Sequence, residues 1–164
     1  MDCIGTVLEI RESKFGKGLF AVKNIAAGTI LCKISGKELD FATTVALKQK
    51  ESHALQIDFD KYILCEPPFL FSNHSCNPNC GINENLEMFA LKNINEGEEL
   101  LWDYSTSMLE RHWTMECACG EKECRKIVTD FDLLPPEIQI KYLQQNIVLP
   151  YIAFFLQQQL ARSA

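Results

Sequence analysis

The chain has 164 residues, of which 47% are hydrophobic, and its 16 basic and 22 acidic side chains give a net charge of −6. A chain of this length can bury about two thirds of its surface, so we expect one domain with one core. The acidic balance argues against a nucleic-acid partner and is compatible with a basic peptide. No apolar run reaches the roughly 18 to 20 residues of a membrane span, and Met1, Asp2 and Cys3 do not begin a secretory signal. We therefore expect a cytoplasmic or nuclear protein that binds neither nucleic acid directly nor a membrane.

The N-terminal part alternates short apolar segments with turns. Residues 4–10 are rich in β-branched side chains and predict a first strand. Gly16, Lys17 and Gly18 then precede an apolar strand that begins at Leu19. Glycines on both sides of a residue permit positive φ and a close backbone approach to a ligand. Taken alone, the pattern favours a tight hairpin turn over a ligand-binding loop.

The middle of the chain continues this pattern of short strands. A strand is expected around residues 30–34, with Ile25, Ile30 and Ile34 in the core. Residues 43–50 predict a short helix. Residues 55–64 alternate apolar and polar side chains, which is typical of a two-stranded hairpin.

The segments after residue 80 differ in kind from one another. Residues 86–91 and 98–102 predict two more strands, which makes the body β-rich. Pro135 and Pro136 favour a helix start, and Pro150 favours a second one. We therefore expect residues 135–162 to form a helical appendage that packs on the β body.

Residues 71–80, Phe-Ser-Asn-His-Ser-Cys-Asn-Pro-Asn-Cys, are a polar turn within an apolar chain. Further along, Cys117, Cys119 and Cys124 form a Cys-x-Cys-x4-Cys pattern. Without an export signal, closely spaced cysteines indicate a metal site more than disulfides. Three thiolates are one short of a closed structural zinc site, so a fourth must come from elsewhere in the fold. Cys76 and Cys80 are the two candidates.

Four of these features follow one another in an order that resembles the SET-domain lysine methyltransferases. They are the glycine pattern at 16–18, the motif at 71–80, the segment Gly-Glu-Glu-Leu-Leu-Trp-Asp-Tyr at 97–104, and the cysteine cluster. The resemblance covers about residues 4–128. It implies a mainly β fold of small curved sheets, with a pseudoknot formed by the central motif and the last strand, plus the C-terminal helical appendage.

The resemblance also implies a division of the chain and a set of cofactor-binding residues. The SET domain would cover residues 4–110, a post-SET zinc-binding segment 111–128, and a helical extension 129–164. Main-chain groups of the glycine loop would bind S-adenosylmethionine, and the central motif would hold it through side-chain and backbone hydrogen bonds. The residues that match these roles are Gly16, Lys17, Gly18, Asn73 and His74.

Three further roles follow from the same resemblance. Tyr104 matches the catalytic tyrosine, which also contacts the cofactor. Trp102 occupies the place in the substrate channel where a phenylalanine or tyrosine tunes how many methyl groups are added. Cys76 matches the fourth zinc ligand, beside the three later cysteines, Cys117, Cys119 and Cys124. The metal would then tie the C-terminal segment to the central motif.

The chain departs from the family pattern in ways that keep a second function open. Residues 53–58 lack the second tyrosine that many members place there, and Lys126 replaces a glycine. The first hypothesis is a zinc-containing, S-adenosylmethionine-dependent methyltransferase that acts on an exposed protein lysine, with a histone tail as a candidate. The alternative is a weakly active or inactive SET-fold module that binds a protein. The target lysine, the final methylation state and the oligomeric state are left open.

Overall fold

The computed structural model of the protein describes residues 5–163, with the side chains of residues 5–162. The expectations for Met1, Asp2, Cys3 and Ile4 lie outside the described residues. Within the described range the chain forms short strands, three α-helices and several 3₁₀ turns. None of the helices in that range is long and apolar enough to cross a membrane.

Short strands dominate the first 130 residues, and the two longer helices follow them. The strands are β1 Leu8–Ser13, β2 Gly16–Ala21, β3 Ile30–Lys33, β4 Gly36–Leu39, β5 Ala54–Asp58, β6 Lys61–Cys65, β7 Asn73–His74, β8 Cys80–Ile82, β9 Glu87–Ala90, β10 Leu101–Trp102, β11 Met115–Glu116 and β12 Ile127–Val128. The helices are α1 Phe41–Val45, α2 Pro136–Gln144 and α3 Pro150–Ser163.

The strands in the described part of the chain pair into five small sheets. Two have three strands, in the orders β3-β9-β8 and β4-β6-β5, and three have two strands, β1-β2, β7-β10 and β11-β12. Only β7 and β10 run parallel among the strands of residues 5–163. This architecture confirms the predicted mainly β fold with C-terminal helices.

The parallel pair brings two distant segments of the chain together. Asn73 lies opposite Leu101, and His74 lies opposite Trp102. The backbone N–H of Ser75 donates to the Trp102 carbonyl at 3.0 Å, which extends the pairing. The central motif and the segment that ends in Tyr104 therefore meet side by side, as the predicted pseudoknot requires.

The first strand begins later than predicted. Residues 5–7 form a turn in which Gly5 has φ +81° and donates its N–H to the Leu8 carbonyl at 2.8 Å. The strand then runs through polar residues to Ser13, because each of them finds a partner on β2. The bounds of this strand are set by its pairing with a neighbouring strand. The content of β-branched residues does not indicate where that pairing begins and ends.

The core predictions were correct at two of three isoleucines. Ile25 and Ile34 are buried, but 51% of Ile30 is exposed. Strand β3 lies at an edge of its sheet, and Leu31, its buried neighbour, takes the inward face. A register shift between Ile30 and Cys32 interrupts the alternation of faces, so Leu31 and Cys32 are both buried while Ile30 stays exposed.

The other local predictions hold with shifted bounds. The hairpin of residues 55–64 is confirmed as β5 and β6, and the strand of residues 86–91 as β9. The strand expected at 98–102 shortens to β10. The predicted helix at 43–50 is confirmed only in part. Helix α1 begins at Phe41, because the Asp40 side chain accepts the Thr43 N–H at 2.7 Å and caps the first turn, and it ends at Val45.

The C-terminal helices complete the main core. Helix α2 has Pro136 in its first turn and α3 begins at Pro150, as predicted. A Cβ on Gly81 would clash with the Ile147 side chain, so tail and β body are in direct contact. Five side chains of residues 135–162 are buried within the same cluster as the strands, namely Tyr142, Ile147, Leu149, Tyr151 and Ile152.

Candidate active site

The glycine pattern forms a hairpin that packs against the segment before Tyr104. Ser13 pairs with Gly16, which has φ +95°, a conformation that favours glycine. A Cβ on Gly18 would clash with the carboxylate of Glu99. The hairpin interpretation is thus confirmed. The group that approaches Gly18 closely is the side chain of Glu99, which belongs to the protein itself.

Asn73 is held by this hairpin in one orientation. Its side-chain nitrogen donates to Glu99 Oε1 at 2.7 Å and to the Lys17 carbonyl at 3.1 Å, and it lies 3.5 Å from Ser13 Oγ. Because the nitrogen makes these contacts, the amide oxygen is left as an acceptor. An acceptor at this position suits a ligand that carries an ammonium group.

His74 turns its ring inward. The Tyr104 N–H donates to Nδ1 at 3.2 Å, so the hydrogen of the neutral ring is on Nε2, which lies 3.4 Å from Cys76 Sγ. Asp103 Oδ1 is 3.7 Å from Nδ1, but burial lowers the pKa of His74 to about 4, and the pair is not ionic. The ring thus links Tyr104 to the cysteines, and only the main chain of His74 remains for a cofactor.

Tyr104 begins the 3₁₀ turn Tyr104–Ser107 directly after β10. Its hydroxyl donates to the Ser72 carbonyl at 2.9 Å, and its ring centroid lies 4.8 Å from that of Trp102 and 5.2 Å from that of His74. Burial raises the pKa of Tyr104. The phenol is therefore neutral and fixed, with its oxygen lone pairs free to face a reacting group.

A cleft of about 70 Å³ opens beside Tyr104. Trp102 is 5% exposed there, and its indole N–H has no hydrogen-bond partner among the described residues. Aromatic rings from four parts of the chain form part of the walls, namely Tyr62, Phe69, Trp102, Tyr104 and Trp113. A narrow aromatic cleft of this kind suits the aliphatic stem of a lysine side chain.

Three residues of the cleft were not found from the sequence: Tyr62, Glu110 and Trp113. Tyr62 lies on β6 opposite Gln56, and its hydroxyl donates to Glu110 at 2.5 Å. Burial raises the pKa of both groups. Residues 53–58, where the family pattern predicts a second tyrosine, contain none, but the opposite strand of the same hairpin carries Tyr62.

The four predicted cysteines meet next to His74. The Sγ atoms of Cys76, Cys117, Cys119 and Cys124 all lie within 4.8 Å of one another, and those of Cys76 and Cys117 are 3.8 Å apart. A tetrahedral zinc ion with Zn–S bonds of ~2.3 Å separates its sulfurs by ~3.8 Å. The donor set therefore fits a metal ion. Cys80, the other candidate, lies fully buried in the main core and is not in the cluster.

Metal binding would change the protonation of the cluster. Burial raises the pKa of Cys76 and Cys117, and a bound metal ion would remove these protons. The backbone N–H of Arg125 donates to Cys76 Sγ at 3.4 Å. Lys14, in the glycine hairpin, donates to the Ala118 carbonyl at 2.7 Å, so the cluster segment reaches the hairpin.

Comparison with known protein families identifies the family of this chain. The family model of the SET domain matches residues 16–105, more than half of the chain. This chain belongs to the SET-domain family. The matched range contains the glycine hairpin, the central motif and Tyr104, and it ends before the cluster segment from Cys117 onward.

Relatives of this SET domain carry names that describe an activity. The chain is 31% identical over 128 residues to histone-lysine N-methyltransferase trr of Drosophila melanogaster, which covers 68% of this chain. It is 28% identical over 134 residues to the human histone-lysine N-methyltransferase 2B, which covers 72% of this chain. The chain spans 5% of the length of each of these relatives.

A solved structure matches the fold. The crystal structure of KRYPTONITE in complex with mCHG DNA and SAH superposes with a TM-score of 0.59 at 26% identity. The match covers 74% of this chain and 29% of that chain. The aligned body is therefore a module of a larger protein in that case too.

Proposed function

We propose that this SET domain transfers methyl groups from S-adenosylmethionine to the ε-amine of a protein lysine. The observation that carries the proposal is a chain of contacts: Asn73 donates to the Lys17 carbonyl of the glycine hairpin, and Tyr104, which donates to the carbonyl of the adjacent Ser72, lines the aromatic cleft. The relatives named as histone-lysine N-methyltransferases support it, and so does the SAH of the solved relative, since SAH is what S-adenosylmethionine becomes after losing its methyl group.

The cofactor would bind between the hairpin and the central motif. The amide oxygen of Asn73 would accept from its ammonium group, and main-chain groups of Gly16, Lys17, Gly18 and His74 would complete the contacts. When bound, S-adenosylmethionine supplies an electrophilic methyl group on a positively charged sulfur. The hydrogen bonds of Asn73 exist before binding, so little reorganisation is needed.

The residues of the cleft would prepare the lysine. A free lysine has pKa ~10.4 and must lose its proton before it can attack. Burial in the cleft, where Trp102 and Phe69 both form part of the wall, disfavours the ammonium form. The fixed hydroxyl of Tyr104 would align the amine near the transferring methyl group. Catalysis would then rest on alignment and desolvation, with no strong base.

We further propose that the four-cysteine cluster holds zinc. Thiolates at these separations suit Zn²⁺, which forms closed tetrahedral sites with sulfur ligands. The ion would be held by Cys76, Cys117, Cys119 and Cys124. It would keep the segment of residues 117–124 against the central motif and so close one side of the site.

The substrate class follows from charge as well as from the relatives. We propose a protein with an exposed lysine, with a histone tail as the first candidate. The chain carries net charge −6, and Glu51 lines the cleft, which favours a basic segment around the target lysine. We assign no nucleic-acid contact to this domain.

The proposal is tested by calorimetric titration of S-adenosylmethionine into zinc-loaded protein. Asn73→Ala should weaken binding ~10- to 100-fold, because it removes a hydrogen bond to a charged group. Asn83→Ala is the matched control, since Asn83 caps the β8–β9 turn through Glu87 and should leave the affinity unchanged. No binding by the wild-type protein would contradict the proposed function.

Transfer of labelled methyl groups to histones and to a lysine-rich protein mixture separates the enzyme from the binding module. The comparisons do not favour an inactive module, and label on any lysine would exclude it. Cofactor binding without transfer to any protein would instead support the module.

A further inference from the structure

Asp103 is a buried hub that the proposed mechanism does not use. It is 1% exposed and lies between Trp102 and Tyr104 in the chain. Arg125 contacts it with both terminal nitrogens, at 2.7 Å to each carboxylate oxygen, and the backbone N–H of Ser105 donates to it at 3.1 Å. A carboxylate that is this deeply buried needs partners for its charge and its lone pairs. Arg125 and Ser105 supply three contacts, and a fourth comes from the C-terminal tail.

That fourth contact is the hydroxyl of Tyr142, on helix α2. Tyr142 is fully buried, and its hydroxyl donates to Asp103 Oδ2 at 2.9 Å and lies 3.3 Å from the Cys76 carbonyl. The carboxylate is the shorter and charged acceptor, so the hydrogen lies mainly towards it. A single atom of the tail, the hydroxyl oxygen of Tyr142, thus contacts two groups. One is the carboxylate next to the proposed catalytic tyrosine, and the other is the main chain of a cluster cysteine.

The same hub reaches both halves of the site. Arg125 follows Cys124, and its N–H donates to Cys76 Sγ. Asp103 precedes Tyr104, whose N–H donates to the His74 ring. A shift of the Asp103 carboxylate would therefore displace groups in the cysteine cluster and in the central motif. Pure core packing does not explain the hydroxyl, because a phenylalanine would fill the same space without a polar atom.

We propose that Tyr142 is a positioning residue through which the C-terminal tail sets the geometry of the cofactor site and of the cysteine cluster. The inference rests on the proposed function, because it assigns the tail a role in that same site. Tyr142 touches no reacting group. It acts through Asp103, which carries the effect to Arg125 on one side and to Tyr104 on the other.

The test compares two tail tyrosines in the whole chain. Tyr142→Phe removes only the hydroxyl that reaches Asp103. Tyr151→Phe is the matched control, because Tyr151 is also buried and its hydroxyl donates to a carbonyl, that of Ser107, at 2.7 Å. Both variants should lose thermal stability to a similar degree. The melting temperature therefore serves as a common reference for the two variants and does not distinguish positioning from packing.

Two readouts decide between positioning and packing. We expect Tyr142→Phe to weaken S-adenosylmethionine binding about three- to tenfold, and to shift the thiolate-to-metal absorption bands of the Co²⁺-loaded protein. Tyr151→Phe should change neither. Equal affinities and identical cobalt spectra for the two variants would overturn the proposal and leave Tyr142 as core packing.

The design also separates this proposal from the proposed function. If the wild-type chain binds no S-adenosylmethionine, the proposed function fails, and the cobalt spectra alone decide whether Tyr142 positions the cluster. If Tyr142→Phe does not fold, Arg125→Lys probes the hub from its other side, because it keeps the charge but loses the paired contacts to Asp103. Unchanged spectra and affinity in that variant would also overturn the proposal.

Discussion

The two halves of the site are held in place by different means. The pocket half, residues 73–74 and 101–104, is built from paired backbone and buried rings in the main core. The cysteine half, residues 117–124 with Cys76, has few backbone hydrogen bonds, such as Cys117 N–H to the Lys126 carbonyl at 2.7 Å. Its four thiols converge, and only a few further contacts among the described residues join their segments, such as the Asn77 side-chain N–H to Glu121 at 3.2 Å and the Arg125 N–H to Cys76 Sγ at 3.4 Å.

The two halves therefore differ in how much their ordered structure depends on a bound ligand. Backbone pairing and buried aromatic rings are stable without any bound group, since their partners are all within the chain. Four converging thiols gain little from one another until a cation binds them. We therefore expect metal loss to loosen the cysteine half first, and the pocket half only through Cys76 and the Arg125 contact.

Cys119→Ser is the change with the largest expected effect. Metal content should fall from one equivalent to none, and the unfolding free energy should fall strongly, because metal binding contributes on the order of 10 kcal/mol in small zinc domains. Affinity for S-adenosylmethionine should fall as well. Metal analysis and calorimetry check this. Cys80→Ala, in the core outside the cluster, should keep the metal, and intact cofactor binding by metal-free Cys119→Ser would contradict the coupling of the two halves.

Tyr104→Phe tests the pocket half alone. The fold should persist, since only the hydroxyl that donates to the Ser72 carbonyl is lost. Methyl transfer should fall ~100-fold or more, the scale seen when a preorganised polar group is removed from an active site. Single-turnover transfer of labelled methyl groups measures this, with cofactor affinity as the internal control. Full activity in the variant would remove Tyr104 from the catalytic role.

Glu110→Gln should give the smallest effect, and one that depends on pH. Burial raises the pKa of Glu110 above its usual 4.5, so the folded state holds a proton that the unfolded state releases. This contribution to stability is complete below pH 4.5 and is lost as the pH rises through the raised folded pKa. The stability of the wild type relative to Glu110→Gln should therefore fall as the pH rises above 4.5. A difference in melting temperature that does not vary with pH would contradict the raised pKa.

Local patterns in the sequence predicted much of this molecule. Turn residues and alternation placed the β5–β6 hairpin, strand β9 and the proline-started helices, because such signals depend on neighbours a few residues away. The spacing of Cys117, Cys119 and Cys124 indicated a metal site, and the order of motifs led to the SET family and to Asn73, His74 and Tyr104. The choice between Cys76 and Cys80 came from that resemblance, since composition and spacing did not separate them.

The tertiary structure decided what lies next to what. Periodicity does not say which faces meet, so Ile30 on an edge strand and Tyr62 in the cleft were not assigned correctly from the sequence. The tail was expected to pack on the body, but its Tyr142 hydroxyl reaches Asp103, 39 residues earlier in the chain. Contacts over such separations arise from how the sheets and helices close around one core, and no local signal encodes them.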